Sequence, residues 1–139
     1  MRDDVRQALE IGPSSTIAER TVDITTVGRR SGQGRRIEIC FYRVGDAIYL
    51  TGVPAARRRD WLANLEATPD FTFHLKNGPH ADLLATATVL TEPELRRGIL
   101  RPIVEEYNAR WSPDSPFPYG DLDEWVSNSP LALVTFADG

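Results

Sequence analysis

The chain is poor in cysteine, histidine and lysine. Cys40 is the single cysteine in 139 residues, which excludes an internal disulfide. The histidines are two, His74 and His80. Neither lies in a pattern with other ligand-type residues, so no metal is expected. Lys76 is the only lysine, and arginine fills the remaining basic positions. No apolar run approaches the roughly 20 residues that span a bilayer, so membrane association is not indicated. The start, Met1-Arg2-Asp3-Asp4, is charged and lacks the apolar stretch of a secretory signal. The expected location is the cytoplasm. A net charge of -4 argues against general affinity for nucleic acid.

What remains is the composition of an ordinary folded domain. Apolar residues make up 41% of the chain and charged residues 26%, enough for one core in one domain over residues 1–139. Residues 1–19 read as an N-terminal helix and arm. Val5 to Ile11 suits a short helix ended by Gly12-Pro13. Thr21–Val27 alternates β-branched residues, which predicts a strand. Arg36–Val44 and Ala47–Thr51 read as a second and third strand joined by the tight turn Gly45-Asp46. A helix is predicted over Arg57–Ala67, with Trp61, Leu62 and Leu65 on one face. Strands follow at Phe71–Leu75 and Ala81–Leu90, separated by Asn77-Gly78, with alternation at Leu84, Thr86, Thr88 and Leu90. Thr91 caps a helix expected to run to about Trp111, with Pro93 in its first turn. Residues 112–130 form a proline-rich loop and a short helix, and Leu131–Phe136 is a last strand. About six antiparallel strands with roughly two to four helices suggest a mainly β fold, a small closed or nearly closed barrel that hides its edges.

The chemistry concentrates in Gly28-Arg29-Arg30-Ser31-Gly32-Gln33-Gly34-Arg35-Arg36. Glycines permit tight turns and close approach to a ligand. Guanidinium forks match phosphate and carboxylate oxygens in pairs. No Gly-Lys-Ser/Thr follows and no helix begins there, so this is not a P-loop. A strand comes next, so it is not a dinucleotide fingerprint. On composition alone, the segment suits either an anion site or a solvated hairpin turn. Arg57-Arg58-Arg59 stands where the next helix is predicted to start, which is the end that favours negative charge. Those cations either gather an anion there or form a surface charge run. Trp61 fits a core position unless its ring borders a pocket. Tyr107, Trp111, Tyr119 and Trp125 gather late in the chain, either to cover a flat ring or as plain packing. Cys40 reads as a structural residue of an apolar strand.

Ile24-Thr25-Thr26-Val27-Gly28-Arg29-Arg30-Ser31-Gly32, then Arg35, and later Asp60-Trp61-Leu62-Ala63-Asn64-Leu65 with Pro69 resemble the deazaflavin (F420)-dependent nitroreductase family. The resemblance implies an FMN-binding split-barrel fold and hydride transfer from reduced coenzyme F420 to a small hydrophobic acceptor such as a quinone or nitroaromatic. It places Arg29, Arg30, Ser31 and Gly32 at the cofactor, with Arg35, Arg36, Arg57, Arg58, Arg59 and Trp61 as further candidates. It makes Tyr107 and Tyr119 the candidate catalytic tyrosines. The family's usual lysine and glycine pair are absent here, where the chain reads Thr51-Gly52-Val53-Pro54. Pro54 removes a backbone donor from that loop, and the arginine triplet offers replacement charge. Two other readings keep the barrel: an FMN-dependent oxidoreductase, or a non-enzymatic binder of a cofactor or anionic ligand. Related barrels often pair, so a homodimer is an expectation of the resemblance.

Overall fold

Side-chain alternation sorts each strand into an inner and an outer row. Along β1 (Thr21–Val27), Val22, Ile24 and Thr26 are buried while their neighbours are partly exposed. β5 (Ala81–Val89) repeats that alternation, whereas β2 (Gly34–Val44), β3 (Ala47–Thr51), β4 (Asp70–Leu75) and β6 (Leu131–Phe136) carry consecutive buried residues where helices or other strands cover both faces. The computed structural model describes residues 1–138. Its six strands close an antiparallel barrel in the order β1-β2-β3-β6-β5-β4, with β4 pairing back onto β1. Phe41, Phe73, Ile24, Leu50 and Ala132 fill the interior. Phe41 and Phe136 meet Phe73 edge-on, with ring centroids at 5.4 and 5.2 Å, the arrangement aromatic quadrupoles favour.

The two ladders on β2 are staggered. β1 pairs with Gly34 to Cys40, from Val27↔Gly34 to Thr21↔Cys40. The β3 ladder begins at Phe41↔Leu50 and ends at Val44↔Ala47. Among the described residues, the first seven residues of β2 are therefore paired on one side only. β3 stops at Thr51 and the chain leaves the sheet at Gly52, so the wall opens beside that half of β2.

Helices close the ends and one flank. α1 (Asp3–Leu9) sends Val5 and Leu9 into the barrel core, and Leu9 O accepts from Arg43 at the β2–β3 end. At the opposite end α3 (Asp60–Ala67) inserts Trp61, Leu62 and Leu65. α4 (Pro93–Arg110) and α5 (Leu122–Asn128) pack Ile99, Leu100, Ile103, Val104 and Trp125 against Tyr42 and Tyr49, the outer row of β2 and β3. The single-turn α2 (Ile17–Arg20) enters β1 behind a capping box formed by Thr16 and Glu19. No helix among the described residues is long and apolar enough to cross a membrane.

Two buried arginines tie these layers together. Arg96 donates from Nε to Val126 O at 2.9 Å, from Nη1 to Leu90 O at 2.9 Å, and from Nη2 to Ser129 O at 2.6 Å and Trp125 O at 3.4 Å. It thereby satisfies Val126 O and Ser129 O at the end of α5, carbonyls beyond the reach of the helix's own amides. No carboxylate faces it among these contacts, and burial pushes its pKa down. Arg20, with no exposed surface, donates to Gly12 O and Ser15 O at 3.1 Å each and to Phe41 O at 3.5 Å. Its Nη1 lies 3.7 Å from Glu106 Oε2.

The strands at Thr21–Val27, Ala47–Thr51 and Leu131–Phe136 fall where the sequence places them. α1 and β2 begin two residues earlier than expected, at Asp3 and Gly34, and four further details differ. α3 starts at Asp60, not Arg57, because an aspartate in the first turn suits the helix dipole and an arginine does not. The cap of α4 is Glu92, whose carboxylate accepts from Glu94 N and Leu95 N, not Thr91. α2 is too short to leave a periodic trace and brings the helices to five. The alternating row Leu84, Thr86, Thr88 is the outer one, with Leu84 exposed, while Leu83, Ala85 and Ala87 face the core.

Arg96→Met should lower unfolding free energy by about 3 kcal/mol or more, because it strips buried carbonyls of their donor. Chemical denaturation of the purified chain measures this. On the uncovered flank, Lys76 and Arg36 hold the Asp23 carboxyl below its usual pKa, Lys76 contributing most. A depressed carboxyl stabilises the fold above its unfolded pKa and loses that contribution as pH falls through the folded one. Asp23→Asn should therefore lower the melting temperature near neutral pH and flatten its decline between neutral pH and the acid range.

Candidate active site

The loop after β1 is closed by its own backbone. Gly28 N donates to Gln33 O and Gly32 N to Gly28 O, both at 2.8 Å, and Gln33 N donates to Ser31 Oγ at 3.2 Å. Gly32 has φ +71°, in the left-handed region. A Cβ on Gly28 would lie 2.6 Å from Ser31 Oγ and 3.1 Å from Gln33 O, so a larger residue there would displace the Ser31 hydroxyl and press on the loop backbone.

α3 grips this loop through Arg29. Arg29 N and Nη1 both donate to Asn64 Oδ1, at 3.1 and 2.9 Å, and Nη2 reaches Asp60 Oδ1 at 3.2 Å. Asn64 is buried and donates from Nδ2 to Thr26 Oγ1 at 3.1 Å. One amide thus joins β1, the loop and α3. A cavity of about 490 Å³ opens beside this clamp, with Arg29, Arg30, Arg35, Arg57, Asp60 and Trp61 in its walls. Arg30 and Arg35 have no hydrogen-bond or ion-pair partner among the described residues. Four guanidiniums against one carboxylate make the cavity cationic in a chain of net charge -4.

A second cavity of about 680 Å³ lies further along β2, walled by Cys40, Tyr42, Tyr107, Arg110, Trp111 and Phe117. The residues around Gly52 and Val53, where β3 ends, also border it. Its outer wall is the proline-rich loop, pinned to the end of α4. Trp111 Nε1 donates to Phe117 O and Tyr107 Oη to Pro118 O, both at 2.8 Å. Asn108 brackets Gly120, accepting from its N at 2.7 Å and donating to its O at 3.1 Å. Arg110 Nη2 donates to Tyr42 Oη at 3.3 Å. Burial pushes the Tyr42 phenol up, with Arg110 pulling the other way. Burial also raises the Glu106 carboxyl, against the pull of Arg20 and Arg110.

The structure divides the residues singled out in the sequence. Arg29, Arg30, Ser31, Arg35 and Trp61 come together at the loop cavity, and Gly32 shapes the loop. Arg36 does not join them. It is one residue past Arg35, so it faces the other side of the sheet and pairs with Asp23 at 2.9 Å. The arginine triplet splits. Arg57 borders the loop cavity, whereas Arg58 pairs with Glu66 and Arg59 donates to Val53 O at 2.8 Å. Arg58 and Arg59 face a separate cavity of about 610 Å³, which Arg57 also borders. Tyr107 lines the aromatic cavity. Tyr119 is exposed and packs edge-on against Trp111 outside it. Sequence reasoning missed Asn64, Asp60, Tyr42 and Arg110. Asn64 had a visible signal, its place in Trp61-x-x-Asn64-Leu65. Tyr42 and Arg110 are joined only by folding.

The comparisons with known proteins agree with this architecture. Among solved structures, a conserved hypothetical protein of Mycobacterium tuberculosis is similar over 99% of this chain and 82% of its own, at 19% identity and TM-score 0.64. An FMN-binding protein related to pyridoxamine 5'-phosphate oxidase from Nostoc punctiforme covers 97% of this chain and 80% of its own, at 15% identity and TM-score 0.61. An F420-H2 dependent reductase covers 84% and 94%, at 20% identity and TM-score 0.50. At these identities the likeness shows the split-barrel fold alone. No curated protein matches the chain. The model of the F420H(2)-dependent quinone reductase family matches residues 6–113, well over half the chain. The chain that folds into this barrel thus belongs to the F420H(2)-dependent quinone reductase family, a family of oxidoreductases.

Proposed function

We propose that this protein binds reduced coenzyme F420 along the open half of β2 and passes its hydride to a small hydrophobic acceptor, such as a quinone or nitroaromatic. The observation that carries the reading is the pair of unpartnered guanidiniums, Arg30 and Arg35, facing a cavity in which Arg29 is already held by Asn64 and Asp60. Free cations over a cavity suit a phosphate. The aromatic cavity supplies a largely apolar space further along the same strand, on the face that Tyr42 and Cys40 share, suited to a ring system. The coenzyme carries the hydride chemistry, while the protein orients it and excludes water. Arg57, on the rim of the loop cavity, brings a charge where the Thr51-Gly52-Val53-Pro54 segment has no lysine.

The two classes of arginine should separate on mutation. Arg30→Ala should weaken F420 binding by about 1.5 to 3 kcal/mol, the range for hydrogen bonds to a charged group, with the melting temperature unchanged. Arg29→Ala should weaken binding and also lower thermal stability, since it dismantles the link to Asn64. Calorimetric titration and a melting curve on each variant distinguish them. The FMN-binding split barrel among the structural neighbours supports a second reading, in which FMN occupies the same cavity. Side-by-side titration with F420 and FMN decides: tight FMN binding with none for F420 reverses the order.

A further inference from the structure

Among the hydroxyls lining the aromatic cavity, one that is buried has an uncommitted proton; Ser112 and Ser115, also in the wall, are exposed or half-buried. Tyr107, in its wall, already gives its proton to Pro118 O. Tyr42 does not. It belongs to the outer row of β2, with its ring buried against α4. Its phenolic oxygen accepts from Arg110 Nη2 at 3.3 Å, and the Arg20 guanidinium lies 4.9 Å from its ring centroid. Both neighbours are donors only. No acceptor takes the Tyr42 proton among the described residues. Arg110 Nη1 is likewise buried without a hydrogen-bond partner, as is Glu106 Oε2, and among the described residues Arg110 is the one cation lining the cavity. Buried donors left unused call for an explanation. Here the unused phenol and the partnerless guanidinium nitrogen belong to two neighbouring residues of one cavity wall.

We infer that Tyr42 is the residue that protonates the acceptor, and that Arg110 is the positioning residue that turns the phenolic hydrogen into the cavity. The inference rests on the hydride-transfer reading above. Hydride reaching a quinone from the reduced deazaflavin delivers two electrons and leaves negative charge on a quinone oxygen. The Tyr42 O–H bond then breaks as an O–H bond forms on that oxygen. The electron pair stays on Tyr42 as a phenolate, balanced by the Arg110 guanidinium at its oxygen and the Arg20 cation at its ring. A solvent proton restores the phenol. The net change is quinone to hydroquinone, with the deazaflavin oxidised.

Binding of 4-nitrophenolate to the full chain without coenzyme tests the donor itself, because its oxygen stands in for the charged quinone oxygen. Tyr42→Phe and Arg110→Gln should each weaken it by about tenfold or more. With F420 and menadione, Tyr42→Phe should lower kcat by about a hundredfold, the scale of general-acid catalysis. KM for menadione and the affinity for F420 should stay close to those of the unmutated chain. Circular dichroism confirms that Tyr42→Phe, which keeps the ring, is folded. Arg110→Gln tests the same donor if it is not. Unchanged phenolate affinity in both variants, or an unchanged kcat in Tyr42→Phe, overturns the assignment. Failure of the unmutated chain to oxidise reduced F420 overturns hydride transfer and the proton step together. A phenolate difference between variants would then mark the pair as an anion site only.

Discussion

Everything proposed for this protein depends on β2 being paired on one side for the first seven of its residues. In a barrel whose ladders matched end to end, β3 would cover that stretch, and neither the loop cavity nor the aromatic cavity would have a wall to share. The stagger follows from lengths. β2 runs for 11 residues and β3 for 5, so a hairpin tied at Gly45-Asp46 must leave the far half of the longer strand without a partner. Pro54 follows three residues after β3 ends, where the missing donor prevents the chain from extending the ladder. The opening is thus a consequence of hairpin geometry, and the barrel closes elsewhere through β6.

The two cavities differ in polarity. The loop end is cationic because the backbone closure at Gly28 and the Asn64 clamp force several arginines into a small volume. Arg29 is tied to α3, its backbone N and Nη1 both donating to Asn64 Oδ1 and its Nη2 to Asp60 Oδ1, and so differs in character from the unpartnered Arg30. The other end is aromatic because α4 ends in Tyr107 and Trp111, and the proline-rich loop folds back over them through side-chain-to-carbonyl bonds. A loop with three prolines has little backbone entropy left to lose, so a few such bonds suffice to order it.

Much of this was legible in the sequence, for identifiable reasons. Strands with clean two-residue alternation, such as Thr21–Val27, declared themselves because burial and period agree. The glycine–arginine loop was visible as a composition anomaly. What the sequence did not disclose was which arginine goes where. Arg35 and Arg36 are adjacent in the chain and opposite in space, and Arg57, Arg58 and Arg59 diverge because the chain there is not helical. The phase of β5 was hidden for a similar reason, since threonine and leucine in its outer row mimic a core row. Tyr42 and Arg110 lie 68 positions apart, and no local pattern connects them. The buried Arg96 and Arg20, which look like surface charge in a one-dimensional reading, are internal fastenings.

The alternation that separates Arg35 from Arg36 also restricts how related genes can vary in length. Losing or gaining a single codon between the loop and Cys40 would rotate every following side chain by half a pleat. Ile39, and Ile37 where the change precedes it, would then leave the interior. Length changes in this stretch are tolerable only in pairs. The loop itself, closed through Gly28, is the one nearby place where an unpaired change can be absorbed without inverting the wall.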